Sequence, residues 1–467
     1  MRLRQYLTGF LLLSSLSAFA TPPNPEPGAE VYAARRAKLL AQLPKGALAI
    51  LNAAPQQRDN QSYRPDSNFW YLTGMPESGA VALLQADARR YTLYSLAKKW
   101  EEEQWTGYRS GQELAKTRYG ADAAFTSDQF QKQLQDLMHD ASSLWIMDGG
   151  DSKFRDQVLG AWNRRSADSD VALPVYNLAT TLAEMRLFKD PSEAALLRQA
   201  VELSVQAHLA ALPLAQGGKG EWALRAAMVN TCNAGAAARM AYPPIVGSGA
   251  NSVVLHYDAD DQLMKQGDMI VNDTACEYGM YAADVTRSYP VGGVFSGEQK
   301  AVYEVVLKAA LAGQAKAVLG APLHEVHDAT VEVVVDGLLA LGIMKGDKAD
   351  IIAKKSYRVF YPHGSSHWIG LEVHDVGNYK RTRVAKDVPE NMRRYASKAL
   401  VALKPGMAFT IEPGLYIPAK TEGVDPKWWN IGVRIEDDYL VTEKGAECLS
   451  CALPRDIPAI EQLMRKL

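Results

Sequence analysis

Four acids, Asp273, Asp284, Glu412 and Glu436, stand within or at the ends of otherwise apolar, strand-like runs. Strands disfavour such residues, and burying them together is costly. At about 5 Å and an effective dielectric of about 20, each ionised pair repels by roughly 3 kcal/mol. A fold that gathers them must supply cations or keep some of them protonated. With His367 added, the set has the ligand types of a two-metal hydrolytic centre. No other feature of the chain restricts its fold so strongly.

Local patterning suggests how the set is built. Met269–Asn272, Asp273, Tyr278-Gly279 and Asp284-Val285 read as a β-hairpin. With a two-residue turn at Tyr278-Gly279, paired positions sum to 557, as 273 and 284 do, so the two aspartates should face each other about 5 Å apart. Two solvated acids on an ordinary hairpin is the plainer alternative. Glu412 ends the strand Met407–Ile411, just before Pro413-Gly414. In Ile431–Glu436 alternation puts Arg434 and Glu436 on one face, where a guanidinium can orient a ligand carboxylate. Taken alone, that pair would read as a surface salt bridge.

Histidine placement is lopsided. Of eight histidines, His363, His367 and His374 fall within twelve residues, and His256 precedes the aspartate hairpin. His139 and His208 read as structural or surface residues, His324 and His327 as helix-face residues.

The remaining chain sets the context. Arg2 and Arg4 precede an apolar run, Leu7–Phe19, ending in Ala18-Phe19-Ala20, a pattern that predicts an export signal over residues 1–20. The run is short for a membrane span, and no cysteine follows the cleavage point to carry a lipid. A periplasmic or secreted protein, not inserted in a membrane after processing, is the expectation. Losing Arg2 and Arg4 lowers 51 basic residues to 49 against 53 acidic ones, a net charge of −4 that offers nothing to nucleic acid. Residues 21–185 alternate helices and strands, as in an α/β layer domain. Asp190-Pro191-Ser192-Glu193 then caps a helix running to about Ala211 and opens a second domain over 186–467. There helices 220–233, 298–318 and 323–342 alternate with strand-rich blocks 253–294 and 359–441, hinting at two similar halves. The basic stretch 379–403 reads as a solvated insertion, with a lid as the sharper option. Cys448 and Cys451 form a C-x-x-C pair that an oxidising compartment could close. Cys232 and Cys276 read as plain core thiols.

A carboxylate-rich set with one imidazole favours Mn²⁺, with Zn²⁺ or Co²⁺ compatible. Two such ions activate water and clamp a tetrahedral intermediate, which points to amide hydrolysis.

The same residues carry a resemblance. Gly364-Ser365-Ser366-His367 with Gly370-Leu371-Glu372-Val373-His374-Asp375, then Thr410–Tyr416 and Gly432–Asp438, closely resemble the pita-bread metallopeptidases, nearest to bacterial aminopeptidase P, which cleaves Xaa-Pro bonds. Tyr63–Gly74 is similar to that family's N-terminal segment. The resemblance implies an α+β fold, with a creatinase/aminopeptidase-like pita-bread catalytic domain behind an α/β N-terminal domain that supplies no metal ligand. It implies two metals on Asp273, Asp284, His367, Glu412 and Glu436, with Asp284 and Glu436 bridging and Glu412 as general base. His256, His363 and His374 would line the site, bind substrate and stabilise the intermediate, with Tyr416 and Arg434 supporting them. Peptides beginning Xaa-Pro are the implied substrates and a homo-oligomer the implied assembly. The long basic insertion and the export signal depart from the family's cytoplasmic bacterial enzymes without touching a ligand position. A prolidase shares the same metals and is the main alternative. A methionine aminopeptidase lacks the large N-terminal domain. A creatinase-like hydrolase or metal-free binding protein would not need all five ligand positions filled.

Overall fold

The computed structural model describes residues 27–55, 63–167, 173–378 and 401–466. The expected export signal and residues 379–400 of the basic stretch lie outside the described residues.

The N-terminal region is built on one mixed sheet of β1 (Ala47–Asn52), β2 (Val81–Gln85), β3 (Arg90–Ser95), β4 (Ala123–Thr126), β5 (Ser143–Ile146) and β6 (Val175–Asn177). Its order is β4-β3-β2-β1-β5-β6. The run Ala-Leu-Ala-Ile-Leu is apolar on both faces and takes a central position covered on both sides, as such runs must. The segment Tyr63–Gly74 forms a fully buried helix, Ser67–Thr73. Asp66 caps it by accepting the Asn68 and Phe69 N–H groups, both at 2.9 Å, and Gly74 ends it with φ 66°. From this helix Trp70 packs edge-on against both Tyr32 and Tyr281, so the two halves of the chain share one apolar cluster.

The helix predicted from the capping signal forms where that signal places it. Asp190 accepts the Ser192 and Glu193 N–H groups, Glu193 reaches back to the Asp190 N–H, and the helix runs Pro191–Ala211. Helices Glu221–Ala234, Gly297–Lys316 and His324–Ala340 match their predicted spans within about two residues. Short sheets carry β7 (Arg239–Met240), β8 (Ile245–Ser248), β9 (Met269–Asp273), β10 (Cys276–Tyr278), β11 (Tyr281–Ala282) and β12 (Thr286–Pro290). Later come β13 (Ala408–Ile411), β14 (Gly414–Ile417), β15 (Ile431–Arg434), β16 (Asp437–Thr442) and β17 (Gly445–Cys448). Among the described residues no helix is long and apolar enough to cross a membrane.

Three expectations need correction. The hairpin turn is Gly279-Met280, with φ 55° and 73°, because the favoured hairpin turn needs positive φ at both central residues. Pairs therefore sum to 559, and Asp273 faces Thr286. A slip of two keeps both aspartates on one face but makes them diagonal neighbours. Among the described residues the block 359–441 is strand-rich only from β13 onward; the histidine stretch is an irregular loop, pinned to β13 by a bridge between Trp368 and Phe409. Finally, Cys232 and Cys276 are bonded to each other, Cα atoms 5.5 Å apart, because the last turn of Glu221–Ala234 lies against β10. Cys448 and Cys451 are bonded as well.

Candidate metal centre

Asp273 ends β9, Asp284 lies in the link between β11 and β12, Glu412 follows β13 and Glu436 follows β15. His367 comes from the loop, held where its N–H donates to Thr410 Oγ1 (3.2 Å) and its carbonyl accepts the Thr410 N–H (2.9 Å). All five residues line one cavity of about 680 Å³, together with His256, His363, His374 and Arg434. Among the described residues every lining residue falls between positions 242 and 436, none in the N-terminal sheet region. Asp284, His367 and Glu436 bring ligand atoms within 4.8 Å of one another. Glu412 sits beside them, its Oε1 3.5 Å from His367 Nε2 and its Oε2 3.5 Å from His363 Nδ1.

Among the described residues counter-charges at the site are few. Arg434 is buried, and its Nη2 lies 2.7 Å from Asp273 Oδ2. Alternation placed this guanidinium beside Glu436, but its ion pair reaches across to β9. Through Nη1 it also donates to Tyr416 Oη at 2.6 Å. Glu436 instead accepts from Thr286 Oγ1 at 2.7 Å. Burial, reinforced by Asp284, Glu412 and Asp273, pushes the Glu436 carboxyl well above the carboxylate range. Glu412 is pushed up to about 7, chiefly by burial, with His367 opposing and Asp284 adding. Burial would lower the His367 imidazole, yet its contact with Asp284 and the nearby Glu412 charge carry it up to about 9. His363 is pushed down to about 3 by burial and by Arg434, so it is neutral. Its Nδ1 lies 2.7 Å from the Gly364 carbonyl, which can only accept, leaving Nε2 to accept from Tyr416 Oη at 2.9 Å.

Sequence reasoning missed four members. Tyr242 Oη lies 2.5 Å from Asp273 Oδ1 and 2.8 Å from Asp284 Oδ1, and one hydroxyl proton cannot serve both carboxylates. Asp438 is buried and accepts the Asp284 N–H at 2.9 Å. Thr286, which holds Glu436, sits two residues after Asp284, so alternation could have found it. His327, read as a helix-face residue, places Nδ1 2.7 Å from Ser365 Oγ beneath the histidine loop. Outside the site, His208 is fully buried, with Nε2 3.0 Å from the carbonyls of Thr274 and Val285. His139 and His324 are exposed.

These features accompany extensive similarity to known proteins. Residues 195–443 match the family described as Metallopeptidase family M24, and residues 32–146 match the Aminopeptidase P, N-terminal domain. The Xaa-Pro aminopeptidase of Escherichia coli (strain K12) is 34% identical over 442 residues, covering 92% of this chain and 96% of that one. The solved structure of Pseudomonas aeruginosa aminopeptidase PepP superposes with a TM-score of 0.88 at 37% identity, covering 94% of this chain and 99% of that one. Zinc-substituted Escherichia coli aminopeptidase P in complex with product superposes with a TM-score of 0.86 at 34% identity, covering 94% and 99% respectively.

Proposed function

The chain belongs to metallopeptidase family M24, with the pita-bread catalytic fold behind an aminopeptidase P-type N-terminal domain, and from this we propose that it is an Xaa-Pro aminopeptidase using two divalent metal ions. It removes the first residue from peptides whose second residue is proline. The observation that carries the proposal is the meeting of Asp273, Asp284, His367, Glu412 and Glu436 in one cavity.

The donor set fits two divalent ions. With His367 neutral, as a metal ligand must be, four ionised carboxylates against the Arg434 guanidinium leave three negative charges in a buried space, and two dications offset them. The hydroxyl of Tyr242, shared between two acids, and the upward shifts of Glu412 and Glu436 are signs of the same missing positive charge. A set of carboxylates and one imidazole suits Mn²⁺, and Zn²⁺ or Co²⁺ are compatible. When bound, the ions supply an activated water and Lewis-acid polarisation of the scissile carbonyl.

The chain's own groups do the rest. Glu412, which lies beside the His363 and His367 imidazoles and opens onto the cavity, takes the proton of the attacking water and returns it to the proline nitrogen as that nitrogen leaves. His256 and His374 face the cavity and donate to the substrate carbonyl and its developing charge. Neutral His363 is oriented by Tyr416, itself held by Arg434. Pro243, Ile245, Leu255 and Val373 give the cavity an apolar wall suited to a proline ring, whose substituted nitrogen carries no N–H.

We further propose that residues 1–20 are a cleaved export signal, that the mature protein works in the periplasm or medium as a homo-oligomer, and that the domains divide near residue 185. Two disulfides support an oxidising location. The deciding assay compares Xaa-Pro-Yaa peptides with Xaa-Pro dipeptides in added Mn²⁺. Cleavage of the longer peptides is expected, and cleavage of dipeptides alone would make the chain a prolidase instead.

A further inference from the structure

Asp375, the residue after His374, is buried, and its carboxylate is gripped from two sides. Arg186 Nη2 lies 2.5 Å from Oδ1, and Lys189 Nζ lies 3.2 Å from Oδ2. The same guanidinium donates through Nη1 to Asn68 Oδ1 at 2.8 Å. Asn68 belongs to the buried helix Ser67–Thr73 of the N-terminal region. Four residues earlier, Arg64 donates from Nη2 to the Leu371 carbonyl and from Nε to Glu277 Oε2 at 2.8 Å. One short N-terminal segment thus reaches both ends of the stretch Leu371–Asp375, on which His374 is carried.

The loop is moulded onto these contacts. The Asp375 N–H donates to the Trp368 carbonyl at 2.9 Å, and the Gly370 N–H to the Glu372 carbonyl at 3.1 Å. A Cβ at Gly370 would lie 2.2 Å from Asp375 Oδ2 and 2.8 Å from Lys189 Cε, so only glycine lets the backbone come this close. His374 is exposed to the cavity, and among the described residues its ring has no hydrogen bond, only the His367 ring 4.3 Å away. The loop beneath therefore sets where that ring stands. Three buried charges are an unfavourable way to obtain mere cohesion, since apolar packing serves as well; what they add is a defined geometry.

We propose that Arg64 and Asn68 are positioning residues for His374, acting through the Leu371 carbonyl and the Arg186–Asp375 pair. This rests on the peptidase reading of the cavity. It gives the N-terminal region, none of whose described residues lines the cavity, a part in turnover.

The test is a double-mutant cycle. Arg64→Gln and Asn68→Ala are each made in the full chain and in the His374→Ala background. Then kcat and KM are measured on an Xaa-Pro-Yaa peptide in saturating Mn²⁺, with metal content, melting temperature and amide exchange of residues 370–375. In the otherwise wild-type chain each variant is expected to lower kcat by about tenfold, within the range that ångström-scale misplacement produces. KM and metal content stay near wild type, and exchange at 370–375 quickens. In the His374→Ala background the further loss should be under about twofold, because coupled sites are not additive. Equal losses in both backgrounds, no loss in either, or unchanged exchange would each overturn the proposal. Arg64 is the more exposed of the two, so Arg64→Gln decides the matter if Asn68→Ala does not fold. A wild-type chain that cleaves none of the peptides would count against the peptidase reading, while the exchange measurement would still judge this one.

Discussion

Tyr242 shows how far the centre departs from charge balance: one phenol stands between two carboxylates and can satisfy one. Burial and the surrounding acids raise its own pKa well above the ordinary value, so it stays protonated. Glu412 is placed differently, between two imidazoles and open to the cavity, which suits proton transfer. Glu412→Gln keeps the shape and removes the basicity. It should fold normally and lose about 10²–10⁴-fold in kcat, the usual worth of a general base. Near-normal turnover in that variant would mean that another group takes the proton. The four acidic metal-site candidates were legible because each interrupts an apolar run or sits against a Pro-Gly stop, and His367 because it falls in the histidine cluster. Tyr242, Asp438 and His327 carry no such mark. Their roles come from contacts between distant parts of the chain.

Elements repeat the lesson. The cap at Asp190-Pro191-Ser192-Glu193 was readable because capping is local, a matter of side chains within three residues of their backbone partners. The hairpin was half readable. Two-residue periodicity put both aspartates on one face, whereas the register depended on which dipeptide takes positive φ, and Met280 does so beside Gly279. The cystine between helix Glu221–Ala234 and β10 was not readable at all, since its partners are 44 residues apart and meet only after the helix packs on the sheet. In the chain-entropy account a crosslink of this span contributes about 4 kcal/mol. Cys232→Ser, or mild reduction, should lower the melting temperature by several degrees without releasing metal. A melting temperature indifferent to both would show that the bond adds no stability.

At the scale of the whole molecule, metal and proton compete for the same buried charge. In the metal-free fold, burial raises Glu412 from 4.5 to about 7, and nearby acids raise His367 from 6.5 to about 9. The folded chain thus holds protons there that the unfolded chain has released. The His367 contribution is complete below pH 6.5 and lost as pH climbs to about 9; for Glu412 stability falls between pH 4.5 and about 7. Both signs agree. Metal-free protein is expected to lose stability on this account as pH rises, and added Mn²⁺ replaces the protons. The rise in melting temperature caused by Mn²⁺ should therefore grow from pH 5 to pH 9, and a rise that shrinks over that range would contradict the assignment. The candidate ligand types, the capped helix starts and the alternation that sends acids to one side could all be read from the sequence, because these follow from residue chemistry within a few positions. The strand register, the cystine partners, the pairing of Arg434 with Asp273 and the seat of the His374 loop on Arg64 and Asn68 emerge in the folded chain alone. Those depend on which surfaces meet when distant segments pack, and a one-dimensional pattern does not carry that information. The acids that constrain the fold most were visible in the sequence; the way their charge is contained was not.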